Sequence, residues 1–226
     1  MPGLFDPFTV RNHNLNRIVM APMGTRLANP EGEVSDRHIS HYTKRAAGYL
    51  GLVIVEVVFV TPGGKSDCHQ LGISHDDHIL GMRRLSSAIR EAGSSPGIQL
   101  YHAGPRVEER GLDPVSPSGV PILKEWDINI RAMPEPSRVL REDEIEGIAD
   151  SFAEAAARAV EAGFDLVEIH GAHGHLLSHF LSPLTNLRRD RYGGDINARV
   201  SFPCEVVSKV RKIIGDDFPL FYRLGA

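Results

Sequence analysis

Cysteine and tryptophan are scarce in this chain, with two of the first and one of the second among 226 residues. Cys68 and Cys204 have no paired spacing, which excludes a disulfide framework and a cysteine cluster motif and points to a reducing, cytoplasmic setting. An excess of charge of one sign is also missing. Lys and Arg number 25 against 29 Asp and Glu, a formal net charge of -4, and the basic residues are scattered. Nucleic acid and anionic membrane surfaces are therefore not expected partners. The amino-terminal MPGLFDPFTV has neither a basic leader nor an apolar signal core, and the longest apolar run, Leu52 to Val60, is too short to span a bilayer. No G-x-G-x-x-G follows the first apolar run. Ala21-Pro22-Met23-Gly24-Thr25 stands there instead, and it cannot make the tight pyrophosphate turn of a Rossmann unit.

What is present is an ordinary globular composition, 42% hydrophobic and 24% charged, enough for one sizeable core and one domain. Continuous apolar runs at Ile18 to Met23, Leu52 to Val60, Ile98 to Tyr101, Leu166 to Ile169 and Leu220 to Tyr222 read as strands covered on both faces. Between them lie amphipathic helices. One runs from about Ser35 to Leu50; Ile79, Met82, Leu85 and Ile89 share a face that stops at Gly93. Ile145, Ile148, Phe152, Ala156 and Ala159 do the same before Gly163, and Val206, Val207, Val210 and Ile213 before Gly215. Five strands joined by helical crossovers are the grammar of a (β/α)8 barrel or a doubly wound sheet, and without the glycine fingerprint the barrel is preferred. A complete barrel takes eight strands in roughly 250 residues. The chain, 1–226, is thus expected to be the amino-terminal portion of a single barrel domain, supplying about the first five βα units. Such a piece, with two open sheet edges, is expected to associate, as in a homo-oligomer, or to be completed by a further segment. The irregular stretch from Pro105 to Leu140 is expected to shape a substrate pocket.

The most informative segment is Val167 to Gly194, VEIHGAHGHLLSHFLSPLTNLRRDRYGG. His170, His173 and His175 gather where an apolar strand stops, and in parallel α/β proteins that is the floor of the functional cleft. Three histidines also suggest a metal-dependent barrel hydrolase or lyase. Their spacing across a strand end is unlike the helical i, i+4 pair of zinc enzymes, so no metal is assigned.

The chain resembles the FMN-dependent Old Yellow Enzyme family of NADH:flavin oxidoreductases and ene-reductases, and within it is most similar to the 2,4-dienoyl-CoA reductase-like branch. The resemblance rests on the order and spacing of Leu4-Phe5-x-Pro7, the run Asn16 to Met23, Val55-Glu56, Gln99-Leu100-x-His102-Ala103-Gly104, the His170 segment, Phe180-Leu181-Ser182-Pro183, Asn186-x-Arg188-x-Asp190-x-Tyr192-Gly193-Gly194 and Tyr222-Arg223. It implies a (β/α)8 barrel holding FMN, with NADH or NADPH as reductant and an activated alkene, an enone or enoyl thioester, as the small-molecule substrate.

Residue by residue, it implies that Pro22, Met23 and Gly24 lie against the flavin ring and that Val57 offers backbone groups. Gln99 would meet the pyrimidine edge, because an amide inside an apolar run needs a polar partner. Arg223 would sit near flavin N1 and O2, where negative charge collects on reduction. His170 and His173 would grip a substrate carbonyl, as an oxyanion hole does. His175, where many relatives have tyrosine, would supply a proton with a pKa nearer neutrality. Arg26 is a candidate substrate residue that would favour anionic ligands, or else a surface arginine. The arginine usual after His-Ala-Gly is replaced by Pro105, with Arg106 following. Asn186, Arg188, Asp190 and Tyr192 are read as a loop brace. Phosphate in such barrels is held after strands seven and eight, so weak or no FMN binding is expected of this chain alone, and any iron-sulfur cluster is expected only in a segment beyond it. A non-catalytic fragment or interaction module without flavin is the alternative.

Overall fold

The computed structural model describes residues 2–11, 13–108, 111–120 and 137–225, so much of the Pro105 to Leu140 excursion lies outside the described residues. Its elements are β1 (Phe8–Val10), β2 (His13–Leu15), β3 (Val19–Met20), α1 (Asp36–Ala46), β4 (Leu52–Phe59), α2 (His78–Glu91), β5 (Ser95–Tyr101), β6 (Val115–Ser116), β7 (Arg138–Val139), α3 (Glu142–Glu161), β8 (Leu166–Gly171), α4 (Leu176–Leu181), α5 (Ile196–Ile214) and β9 (Leu220–Leu224).

Five strands pair in parallel in the order β3-β4-β5-β8-β9. Spatial order follows chain order without reversal, so every crossover steps one strand in the same direction, the winding of a (β/α)8 barrel and not of a doubly wound sheet. The expected strands are all present, with the first shortened to Val19–Met20.

Strand alternation divides the side chains into two populations. Val53, Val55, Ile98, Leu100, Val167 and Ile169 join the main core beneath the helices, together with Met82, Leu85, Phe152 and Val206. Leu52, Ile54 and Leu166 point the other way, into a smaller cluster with Leu15 and Phe221. Leu15 belongs to the antiparallel hairpin β1–β2, which lies against the amino-terminal ends of the strands on that inner face. Fully burying side chains of this size contributes about 1.5–3 kcal/mol each.

The inner face changes character toward the carboxyl ends of the strands. Gln99 follows Gly97 by two residues, Glu168 follows Leu166, and Arg223 follows Phe221, so three polar residues sit one step above the apolar cluster. Between Val55 and Val57 the β4–β5 register shifts. Glu56 is the extra residue of this bulge, and it re-aims the strand so that Val57 and Phe59 rejoin the inner side with Tyr101.

The helices follow the expected faces, with differences at their ends. Ser35 caps α1 through a box in which His38 Nδ1 accepts from Ser35 N at 3.0 Å. Helix α5 starts at Ile196, well before the Val206 face, because Asp195 caps it by accepting from Ala198 N at 3.0 Å. Hairpin β1–β2, bridge β6–β7 and helix α4 are additions to the sequence reading, all too short to show a period.

Candidate active site

His170 is the penultimate residue of β8 and only 2% exposed. Beyond Gly171 the chain turns sharply: His173 and Gly174 both adopt left-handed conformations, φ 60° and 71°. This reversal brings His173 Nδ1 to 3.3 Å from His170 Nε2. The ring centroids of His170 and His173 are 4.9 Å apart, as are those of His170 and His175. His175 occupies the N-cap position of α4 without capping it through its side chain, and its ring packs edge-on against Tyr101 at 4.7 Å. The three predicted histidines therefore form one cluster.

Burial, and then the nearness of the His173 ring and of the Arg223 and Arg106 guanidinium groups, pushes the His170 pKa down to about 3. His175 is held well below its ordinary value by burial, His170 and Arg106, against an upward pull from the Ala103 backbone. The expected near-neutral pKa at His175 is thus corrected: desolvation penalises its cation. Both rings are neutral near pH 7, so each has one N–H donor and one lone pair. Nδ1 of His170 and Nδ1 of His175 are buried without a hydrogen-bond partner, which leaves polar capacity for something else. Among the described residues, no group of three or more metal-ligating side chains is arranged to hold an ion.

One step below the histidines, Gln99 Nε2 donates to Glu168 Oε1 at 2.5 Å and Arg223 Nε donates to the same oxygen at 2.8 Å. Register places Gln99 beside Glu168 and His170 beside Arg223. Glu168 answers the question of what partners the buried amide, and it was missed from sequence. The available signal was a carboxylate inside an apolar strand two residues from His170, hence on the same face, where a charge needs a partner.

The end of the first strand is open. Pro22 is half-buried, Gly24 is exposed, and Met23 is 68% exposed. A Cβ added to Gly24 would meet nothing within 4 Å, so the absence of a side chain there leaves a free surface and is not required by packing. Thr25 N and its hydroxyl donate to Glu56 at 2.7 and 2.5 Å, and Glu56 N donates to Tyr42 Oη at 2.9 Å. The Thr25 hydroxyl is therefore committed to Glu56. The Val57 carbonyl accepts from Gln70 Nε2 at 3.3 Å, and Gln70 Oε1 accepts from Tyr101 Oη at 3.1 Å.

Arg26 departs from the expectation of an anion-attracting cation. It pairs with Glu108, and with Asp67 at 3.4 Å, and these carboxylates raise its pKa. Its charge is more than offset by its neighbours, and the three residues tie together the loops after β3, β4 and β5.

The expected loop brace is present. Asn186 Nδ2 donates to Phe180 O and Tyr192 O at 2.8 and 2.7 Å, and Arg188 forks onto Asp190 while reaching Leu140 O at 2.6 Å. A separate cleft of about 510 Å³ lies between β3 and α1, lined in part by Met20, Met23, Arg37 and Lys44. It is not the histidine site, although Gly24 and Thr25 border it.

These residues fit a flat heterocycle with alternating donors and acceptors. Gly24 leaves room for a ring, Gln99 offers an amide, Arg223 offers a charge, and the buried imidazole nitrogens lack partners.

Known proteins resemble this chain along nearly all of its length. The chain is 43% identical over 225 residues to an NADPH dehydrogenase of Geobacillus thermodenitrificans, covering 99% of this chain and 63% of that protein. It is 41% identical over 231 residues to an NADH oxidase of Thermoanaerobacter brockii, covering all of this chain and 34% of the other. Among solved structures it resembles a complex of 2-naphthoyl-CoA reductase with 2-naphthoyl-CoA (TM-score 0.90, 29% identity, 98% of this chain and 35% of that one). It also resembles morphinone reductase in complex with tetrahydroNAD (TM-score 0.88, 32% identity, 99% and 64%). The chain thus spans about 63% of the length of the NADPH dehydrogenase it matches, and its five parallel strands with the helices between them are part of a (β/α)8 barrel. The profile of one family matches residues 3–226, and on that match the chain belongs to the NADH:flavin oxidoreductase / NADH oxidase family, whose members use FMN with NAD(P)H as reductant.

Proposed function

We propose that this chain carries the ring-facing and substrate-gripping part of an FMN-dependent oxidoreductase that takes hydride from NADH or NADPH and reduces an activated alkene, an enone or enoyl thioester. The observation that carries this reading is the His170–His173 pair, with facing nitrogens 3.3 Å apart, one layer above Gln99, Glu168 and Arg223.

Gln99 and Arg223 would hold the pyrimidine side of FMN, with Pro22, Met23, Gly24 and the backbone at Val57 around its ring. Bound FMN would supply the hydride, replenished by the nicotinamide. Glu168 fixes both polar groups from below, so they need no reorganisation when the cofactor arrives. His170 and His173 donate to the carbonyl oxygen of the substrate, which draws electron density from the conjugated alkene and favours hydride addition at the β-carbon. Negative charge then collects on the oxygen that the two imidazoles hold. His175, neutral and 4.9 Å ring to ring from His170, would relay a proton toward the α-carbon, giving up its N–H as its other nitrogen takes up a proton from water. A similar structure bound to an aromatic acyl thioester supports the thioester as one substrate form.

The alternative is a reading without flavin, as an interaction module. Tight stoichiometric binding of FMN in a fluorescence titration would exclude that alternative. In the flavin-loaded protein, His170→Ala with His173→Ala should abolish binding of a phenolic ligand while leaving flavin bound. Normal enone reduction by that double variant would overturn the assignment.

A further inference from the structure

We propose that Arg106 is the positioning residue for the substrate-gripping pair: it holds the His173 carbonyl and so keeps the left-handed turn that brings His173 against His170. The inference rests on the function proposed above for that pair.

In an extended chain, residues three apart point to opposite faces. His170 points to the inner face of the sheet, so His173 would point away from it if β8 simply continued. The two rings meet only because His173 adopts φ 60° and Gly174 φ 71°. For histidine this conformation is sterically uphill and persists only where the surroundings impose it. Arg106 supplies that constraint by donating from Nη1 to His173 O. Its guanidinium lies along the turn, since a Cβ on Gly174 would come within 3.3 Å of Arg106 Nη1.

Arg106 is itself held by a fixed loop. Its backbone N donates to Ala103 O at 3.1 Å, and Pro105 before it restricts the backbone. Gly104, at φ 64°, lies so close to Leu176 that a Cβ there would sit 2.8 Å from the Leu176 Cα. Leu176 N donates to His102 O at 3.2 Å. The loop after β5 and the turn after β8 are thereby stitched together, and Arg106 is the side chain that reaches across to the histidine.

The test compares Arg106→Met, of similar length but without a donor, with Arg106→Lys, which keeps one. In the flavin-free full chain, the imidazole nitrogens of His170 and His173 are followed by long-range proton–nitrogen NMR, with His38 in the α1 cap as a control of the fold. The Met variant should lose the unequal nitrogen signals of the paired rings while His38 is unchanged, and the Lys variant should restore them. In the flavin-loaded protein, the Met variant should weaken a phenolic ligand about tenfold with flavin affinity unchanged, the loss expected for a misplaced charge-assisted contact. If the Met variant fails to fold, Gly174→Ala, which crowds the guanidinium, should disturb the same two rings. Unchanged imidazole signals in the Met variant, or identical behaviour of Met and Lys, would overturn the proposal. If phenol binding also survives loss of both histidines, the proposed function fails instead, and the imidazole signals still decide the role of Arg106.

Discussion

At the scale of single residues, the site is decided by partners distant in sequence. The need of Gln99 for a partner was legible, because an amide in an apolar strand is costly without one. Its partner Glu168 was equally visible as a charge in such a strand, yet nothing in the sequence alone ties the two. Arg26 shows the opposite case. Its isolation between Thr25 and Leu27 resembles a free cation, while Glu108, 82 residues away, neutralises it only in the fold. Two outcomes follow. Glu168→Ala strips Gln99 and Arg223 of their common acceptor and should cost about 2–3 kcal/mol in urea denaturation, below the full range for broken buried pairs because the Arg223 side chain is 30% exposed. Gly24→Val, with no neighbour within 4 Å of the new Cβ, should change stability by less than about 0.5 kcal/mol while lowering FMN affinity. A flavin affinity unchanged by that valine would remove Gly24 from the cofactor surface.

Elements were legible where they were long. Strands β4, β5 and β8 are apolar runs that period and length identify, and the crossover helices α2 and α3 stop at the expected glycines. The short elements β1, β2, β6, β7 and α4 escaped, since each contains less than two turns or a few alternations, whereas β3 and β9, equally short, were marked by continuous apolar runs. The early start of α5 was hidden because its first turns present Arg199 and Ser201 and only its second half shows a clean apolar face. Asp195 reveals that start in the structure, and replacing it with alanine should cost about 1 kcal/mol, the usual value of an N-cap, read as a lowered urea midpoint with an unchanged slope.

For the molecule as a whole, the buried histidines set the response to acid. His102 and His179 have pKa values pushed down to about 4 by burial, and His170 to about 3. In the unfolded chain each reverts to its ordinary value near 6.5. Above that pH both states are neutral and the groups contribute no slope. Between about 6.5 and 4 the unfolded state binds more protons, so stability falls as pH falls, by up to about 1.4 kcal/mol per pH unit for each group. Once the pH drops through the folded values the slope vanishes. Urea midpoints should therefore decline steeply from pH 6.5 to pH 4 and less steeply in a variant with His102→Asn, an imidazole outside the His170, His173 and His175 cluster. A midpoint flat across that window would mean that these rings are charged in the fold.

Glu168 and His170 stand two residues apart on one face of β8, a rise of about 6.6 Å along a strand. On the proposed function, the height between the layer beneath the cofactor and the layer that grips its reaction partner would be written into covalent backbone, whereas His173 and His175 sit beyond the strand on a turn. Such a molecule would vary its appetite without disturbing its engine: changes on the turn would retune which compound is accepted, and the ladder of hydrogen bonds through β5, β8 and β9 would preserve the spacing that any such compound must meet.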